Sequence, residues 1–259
     1  MLMKKTDLLK VKDTMKLIAR AVNVTENEIA GGIFCVHPFI NSVLWGEKWF
    51  EDNKNTKIGD GLQLNSSNPL IEKYLLTNED VFEEWYVDFC NKLEKIDSLS
   101  RLYCLWGTPW KMTFIKYCGE HLSVQDFSEF LADAWTSEDN PNMDLNVSIK
   151  ESIKYFRKAS KKYLMDKEEY AYYESLPEEI TVYRGVGRRR AKYGLSWTDD
   201  EKVANWFKNR WENITSDNEP MLLKAVINKK DVLAYLNSRG ERELVVDVNA
   251  IKHLIEEVV

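Results

Sequence analysis

Three short stretches in the last third of the chain carry residues whose types and spacing could do chemistry together. Tyr183-Arg184-Gly185 closes an apolar run. Leu195-Ser196-Trp197-Thr198 sets two hydroxyls on a second segment, and Glu241-Arg242-Glu243 presents two carboxylates on a third. A guanidinium can fork onto phosphate oxygens through two charge-assisted hydrogen bonds. A carboxylate fixed beside a ribose stabilises the oxocarbenium-like charge that develops as its glycosidic bond breaks. Together the three stretches could grip a phosphorylated ribose and cleave that bond. Glu243 stands at the edge of the apolar run Leu244-Val245-Val246 and would ride on a rigid strand end. Glu241 would share its side of an extended chain, because side chains alternate there.

Each piece has a plainer reading beside the chemical one. Two acids flanking a turn at Gly240 are also what a solvated surface looks like. Tyr183-Arg184-Gly185 is also an ordinary strand end followed by a turn glycine. Thr198-Asp199-Asp200-Glu201 matches a capping box, which makes Thr198 the start of the next helix. That role is compatible with a place in a site. Arg188-Arg189-Arg190-Ala191-Lys192, between the first two stretches, reads as a solvated basic loop or as a contact to phosphates.

The elements that must position these residues follow from periodicity. Helices are predicted over Asp7 to Ala21, Asn78 to Leu93, Trp110 to Cys118 behind Pro109, Ser123 to Trp135, Ser148 to Leu164, Lys167 to Leu176, and Asp200 to Trp211. Ile33 to Val36 is ambiguous between strand and buried helix. Asn53 to Asn68 and Ser137 to Asn146 read as loops. After Pro177 the pattern changes: Ile180 to Tyr183, Leu222 to Ile227 and Leu244 to Val246 read as strands. A helical region followed by a strand-rich one indicates an α+β protein.

Composition bounds the rest. With 259 residues, 44% hydrophobic and 30% charged, the chain is long and apolar enough for one large globular domain or two small ones. A net charge of -6 argues against a wholesale nucleic-acid binder. No apolar run is long enough to span a bilayer, and Met1 to Asp7 does not lead into a signal-peptide core. Cys35, Cys90, Cys104 and Cys118 show neither paired nor metal-ligand spacing, so reduced, mostly buried thiols in a cytoplasmic protein are expected. His37, His121 and His253 have no recognisable nucleophile partner.

In this order, the trio resembles the arginine–serine–glutamate class of mono-ADP-ribosyltransferases. The resemblance implies a glycosyltransferase that uses NAD as substrate and needs no metal. It would release nicotinamide and move ADP-ribose to a macromolecule, protein arginine first. It assigns Arg184 to the NAD phosphate and ribose, and Gly185 to a close approach of backbone to the nicotinamide amide. Ser196, with Thr198 beside it, would support the ribose and the catalytic glutamate, although Trp197 departs from the family's Ser-Thr-Ser. Glu243 would stabilise the ribosyl cation. Glu241 would orient or deprotonate the acceptor guanidinium, which is almost fully protonated at neutral pH.

The implied architecture is a mainly helical region, 1–176, followed by a compact ADP-ribosyltransferase-like β-sandwich core, 177–259. Residues from about 70 onward are available to complete the catalytic domain. Ile214 to Pro220 would match the loop over the nicotinamide, and Leu236 to Gly240 the turn that presents the glutamates. A bacterial or phage-encoded effector, acting in the host cytoplasm in the second case, fits this picture. Two other classes stand beside it: a non-catalytic module that binds NAD or ADP-ribose, and a transferase that uses the Arg188 to Lys192 stretch to modify nucleic acid.

Overall fold

The structure is a computed structural model. It describes residues 5–21, 37–39, 57–58, 62–63, 79–138, 146–187, 191–210 and 219–258. The chain divides into two compact units, Met1–Ser123 and Val124–Val259. The helices that follow Val124 therefore cluster with the strands. Ile33 to Val36 lies outside the described residues, as does most of Asn53 to Asn68 and of Ser137 to Asn146.

In the first unit, α1 (Leu8–Ala21) buries Val11, Met15, Ile18 and Ala19, a single helical stripe. A short antiparallel pair, β1 (Lys57–Ile58) and β2 (Leu62–Gln63), follows. Helix α2 (Glu79–Glu94) buries Trp85, Phe89 and Leu93 at four-residue steps. Its first turn carries Glu79 and Asp80, favourable at the positive end of the helix dipole. Helix α3 (Leu99–Tyr103) was not expected from the sequence, being barely longer than one turn. Pro109 opens a 3-10 turn, Thr108–Trp110, that runs into α4 (Lys111–Cys118).

His37 is fully buried among aromatic rings. Its ring lies edge-on to Trp85 at 5.2 Å, and Phe39 stacks on Phe89 at 5.0 Å and meets Trp106 edge-on at 4.6 Å. Nε2–H donates to the Ala19 carbonyl at 3.0 Å, and Nδ1 accepts from the Phe39 amide at 3.1 Å. These two bonds define a neutral imidazole in the Nε2–H form. Burial pushes its pKa down to about 4. Of the described cysteines, all free, only Cys118 is buried; Cys90 is half-buried and Cys104 exposed. The expected interior role thus holds for Cys118, whose thiol burial pushes up to about 12.

The second unit opens with α5 (Val124–Thr136), α6 (Ile149–Lys158), α7 (Lys161–Leu164) and α8 (Lys167–Ser175). Capping boxes start α6 at Ser148 and α8 at Asp166. The single helix expected over Ser148 to Leu164 is broken at Ala159, where the backbone is extended. The Ser160 amide donates instead to Ser128 Oγ of α5, at 2.9 Å, and that tertiary bond replaces the one a continuous helix would make.

The strands are β3 (Glu179–Val186), β4 (Ser196–Thr198), β5 (Met221–Asn228), β6 (Val232–Leu236), β7 (Glu243–Val246) and β8 (Glu256–Val258). Between them lie α9 (Glu201–Asn209) and α10 (Val248–Ile251). The strands form one antiparallel sheet in the order β6-β7-β4-β3-β5-β8. The protein is thus a mixed helix and antiparallel-sheet structure, α+β, and the described strands of the second unit make a single open sheet where a sandwich core was expected. Strand β6 escaped the sequence reading because all five of its residues are buried, so no alternation marks it. Helices α6 and α8 pack on it, its register shifts between Val232 and Ala234, and Lys161 Nζ donates to the Val232 and Leu233 carbonyls at 3.2 and 3.1 Å. Among the described residues, no helix is long and apolar enough to cross a membrane.

Acid will act on the first unit through His37. Its folded pKa of about 4 lies below the ordinary 6.5, so the unfolded chain binds the proton first. Stability is complete above pH 6.5 and falls as pH drops towards 4, by roughly 3 kcal/mol in all. Urea denaturation followed by tryptophan fluorescence at pH 7.5 and 4.5 will show a fall in midpoint for the native protein that is smaller in His37→Gln. Equal falls in both proteins would remove His37 as the cause.

Candidate functional site

The site begins where the sheet parts. Strand β3 pairs with β5 along its whole length, but with β4 only at Tyr183 opposite Thr198. Beyond that row, Arg184 bridges the gap. Its Nη1 donates to the Ser196 carbonyl at 2.8 Å, its Nη2 to the Ala191 carbonyl at 3.1 Å and its Nε to the Lys192 carbonyl at 3.4 Å. The residue is only 5% exposed. A buried cation is costly unless its donors are matched, and here residues 191–196 wrap around it to supply acceptors. The wrap is tight enough that a Cβ on Gly194 would come within 2.8 Å of the guanidinium carbon.

Cross-strand rows set what faces what. Tyr183 lies opposite Thr198, and Thr198 opposite Glu243, so these three share one face of the sheet. Arg184, one residue on, belongs to the other side and reaches the site at the gap. Glu243 Oε1 accepts from Trp135 Nε1–H at 2.8 Å, across 108 positions of sequence. Trp135 itself is buried, edge-on to Phe156 at 5.1 Å. The indole thus holds the carboxylate from the end of α5.

Thr198 is buried, and its Oγ1 accepts from the Asp200 amide at 3.2 Å. The residue that caps α9 is Asp200, whose carboxylate accepts from the Lys202 amide. The capping role expected for Thr198 therefore moves two residues on, and Thr198 shapes the turn that leads there. Gly185 is also explained differently from the expectation. Helix α9 packs against it so closely that a Cβ would collide with the Ala204 carbonyl oxygen and come within 2.5 Å of the Lys208 amide nitrogen. The backbone that approaches Gly185 is that of α9.

The two glutamates converge by a route other than strand alternation. Strand β7 begins at Glu243, and Arg242 before it is left-handed, with φ 48°. The turn over residues 237–242 is held by bonds from the Gly240 amide to the Asn237 carbonyl, 2.8 Å, and from the Arg242 amide to Asn237 Oδ1, 2.9 Å. Glu241 pairs with Arg239 at 3.3 Å, and Arg239 Nη1 donates to the Thr136 carbonyl at 3.2 Å.

Arg184, Gly185, Ser196, Thr198, Glu241 and Glu243 all border one open cleft. Trp135, Phe207, Arg210 and Arg239 border it too, and sequence reasoning passed over them. Trp135 and Phe207 look like core positions of their helices. Arg210 stands in no motif, and Arg239 lies in the Leu236 to Gly240 turn, which was matched as a turn with no role given to its arginine. The cleft combines three guanidinium groups with the carboxylates of Glu138, Glu241 and Glu243 and the aromatic residues Trp135, Tyr183, Trp197 and Phe207. Such a set can hold an anionic ligand with a flat ring and stabilise a developing cation at Glu243. The basic residues 188–190 and most of Ile214 to Pro220 lie outside the described residues. No protein-family model matches the chain, nor does any curated protein or solved structure.

The contact at Gly185 makes a stability prediction. Gly185→Ala will force α9 off the sheet and destabilise the second unit by about 3 kcal/mol. Gly240→Ala meets nothing within 4 Å and bears only its left-handed φ of 71°, so it will cost about 1 kcal/mol. Thermal denaturation of the two variants will rank them in that order, and equal midpoints would contradict the packing described.

Proposed function

We propose that the second unit is a mono-ADP-ribosyltransferase-like catalytic unit, which moves ADP-ribose from NAD to a macromolecular acceptor, a protein arginine first. The observation that carries this reading is the meeting of Arg184, Ser196 and Glu243, from three separate stretches, around one cleft. The finer fold reading, a transferase-like core with its nucleotide cleft at the parting of β3 and β4, rests on the same convergence. Action in the cytoplasm belongs to the proposal as well.

In this mechanism the charges of Arg184, Arg210 and Arg239 oppose the diphosphate of NAD, and Phe207 offers apolar surface to its rings. Ser196 lies next to the ribose. The bond between ribose C1′ and the nicotinamide nitrogen breaks, and its electron pair leaves with neutral nicotinamide. The Glu243 carboxylate, steadied by Trp135, stabilises the ribosyl cation. An acceptor guanidinium takes the place of Arg239 against Glu241 and gives up a proton to it. Its nitrogen then attacks C1′. No step calls for a metal.

A second reading, a module that binds NAD or ADP-ribose without turnover, is favoured by the existing pair between Glu241 and Arg239, which occupies the acceptor's partner. One assay separates the two. Label from adenylate-labelled NAD will pass into protein of a cell lysate. Glu243→Gln will lower the rate about 100-fold or more, and Glu241→Gln will stop transfer while leaving NAD hydrolysis. Full transfer by Glu243→Gln would sink the proposal. Saturable NAD binding with no nicotinamide release would favour the module, and label in a nucleic-acid fraction, lost with added salt, would move the acceptor to nucleic acid.

A further inference from the structure

The chain between the two glutamates carries an arginine where glycine would be easiest. A φ of 48° at Arg242 is a conformation that an L side chain strains to adopt and glycine takes freely. Such strain persists only where the surroundings over-determine it. At Arg242 they do. Its Nε donates to Asp199 Oδ1 and its Nη2 to Asp199 Oδ2, both at 2.9 Å, a two-pronged pairing. Nη2 also donates to the Tyr172 hydroxyl at 2.8 Å, and that hydroxyl in turn donates to Asp199 Oδ2. The guanidinium lies 5.3 Å from the Tyr172 ring centre. From the other side, the Asn237 side chain holds the Arg242 amide, and the Asn237 amide is held by Glu169 Oε1 at 2.6 Å.

Three separate segments thus converge on one residue: α8 through Tyr172 and Glu169, the link from β4 to α9 through Asp199, and the turn before β7. The Asp199 carboxylate is only 13% exposed, while the Arg242 side chain is half-buried. Glu241 and Glu243, on either side of this clamp, both border the cleft. A left-handed residue between them breaks strand alternation, so their convergence depends on how residue 242 is turned.

We propose that Arg242 is a positioning residue, whose clamp onto Asp199 and Tyr172 aims both Glu241 and Glu243 into the cleft. The consequence for turnover rests on the transferase reading above; the geometric claim does not. Arg242→Gly keeps the backbone conformation accessible and removes the clamp. Asp199→Ala removes it from the other side. Arg242→Lys keeps the charge but cannot fork onto both carboxylate oxygens.

The test uses the full-length protein with ¹⁵N-labelled tryptophan. The indole N–H resonance of Trp135, identified by its loss in Trp135→Phe, reports the bond to Glu243 without any need for turnover. Arg242→Gly, Arg242→Lys and Asp199→Ala are each expected to shift or broaden that resonance, and the Arg242→Gly/Asp199→Ala double variant to match the single ones, because both ends belong to one device. In the transfer assay, kcat should fall roughly tenfold or more in each, with KM for NAD held within about twofold. A Trp135 resonance unchanged in Arg242→Gly, or moved there but not in Asp199→Ala, would overturn the proposal. If the native protein turns over no NAD, the transferase reading fails alone, and the indole resonance still decides whether the clamp positions Glu243.

Discussion

The buried guanidinium of Arg184 is the constraint on which the site depends. A sheet whose strands paired throughout would be continuous between β3 and β4 and would leave no cleft there. The two strands share a single residue pair. Past it, the arginine substitutes side-chain donors for a backbone ladder and satisfies three carbonyls across the gap. Removing water from a guanidinium is unfavourable unless several acceptors are supplied together. The loop over residues 191–196 must therefore close around the side chain as a unit. The same arrangement leaves a positive charge at the wall of an open cleft.

On the other flank the carboxylates are controlled by two arginines of different kinds. Arg239 pairs with Glu241 inside the cleft, at 3.3 Å and partly open to solvent. A pair in that setting is weak and exchangeable. Arg242 turns away from the cleft and forks onto a nearly buried Asp199. That pairing is two-pronged. The turn thus has one arginine paired with a carboxylate of the cleft and one that clamps the backbone in place. Trp135 adds a third restraint by donating to Glu243 from a helix that the strand motif does not include.

Much of the fold was legible in the sequence. Helices α1, α2, α5 and α9 follow apolar stripes, and β3, β5 and β7 stand out as apolar, β-branched runs. The failures have local causes. Ser160 carries no sign that its amide will be claimed by Ser128, so the helix break before it was invisible. Strand β6 is apolar and buried throughout, so it shows no alternation. Gly185 is also required by packing that its sequence does not show, since the backbone of α9 lies where a Cβ would be. Thr198 was read as a cap, and Asp200 took that place because its carboxylate reaches the Lys202 amide.

What the sequence determined by itself was chemical: which residues could bind a phosphate, supply a hydroxyl or stabilise a cation, and in what order they come. Residue type carries that information, and so does short-range spacing. Only the tertiary structure decided which way they face. The parting of β3 from β4, the seating of α9 on Gly185 and the reach of Trp135 to Glu243 each join groups distant in the chain. So does the clamp of Arg242 on Asp199, and no local pattern encodes it. Such pairs are selected by packing and by the need to match every buried charge and donor, a condition met only when the whole unit has closed.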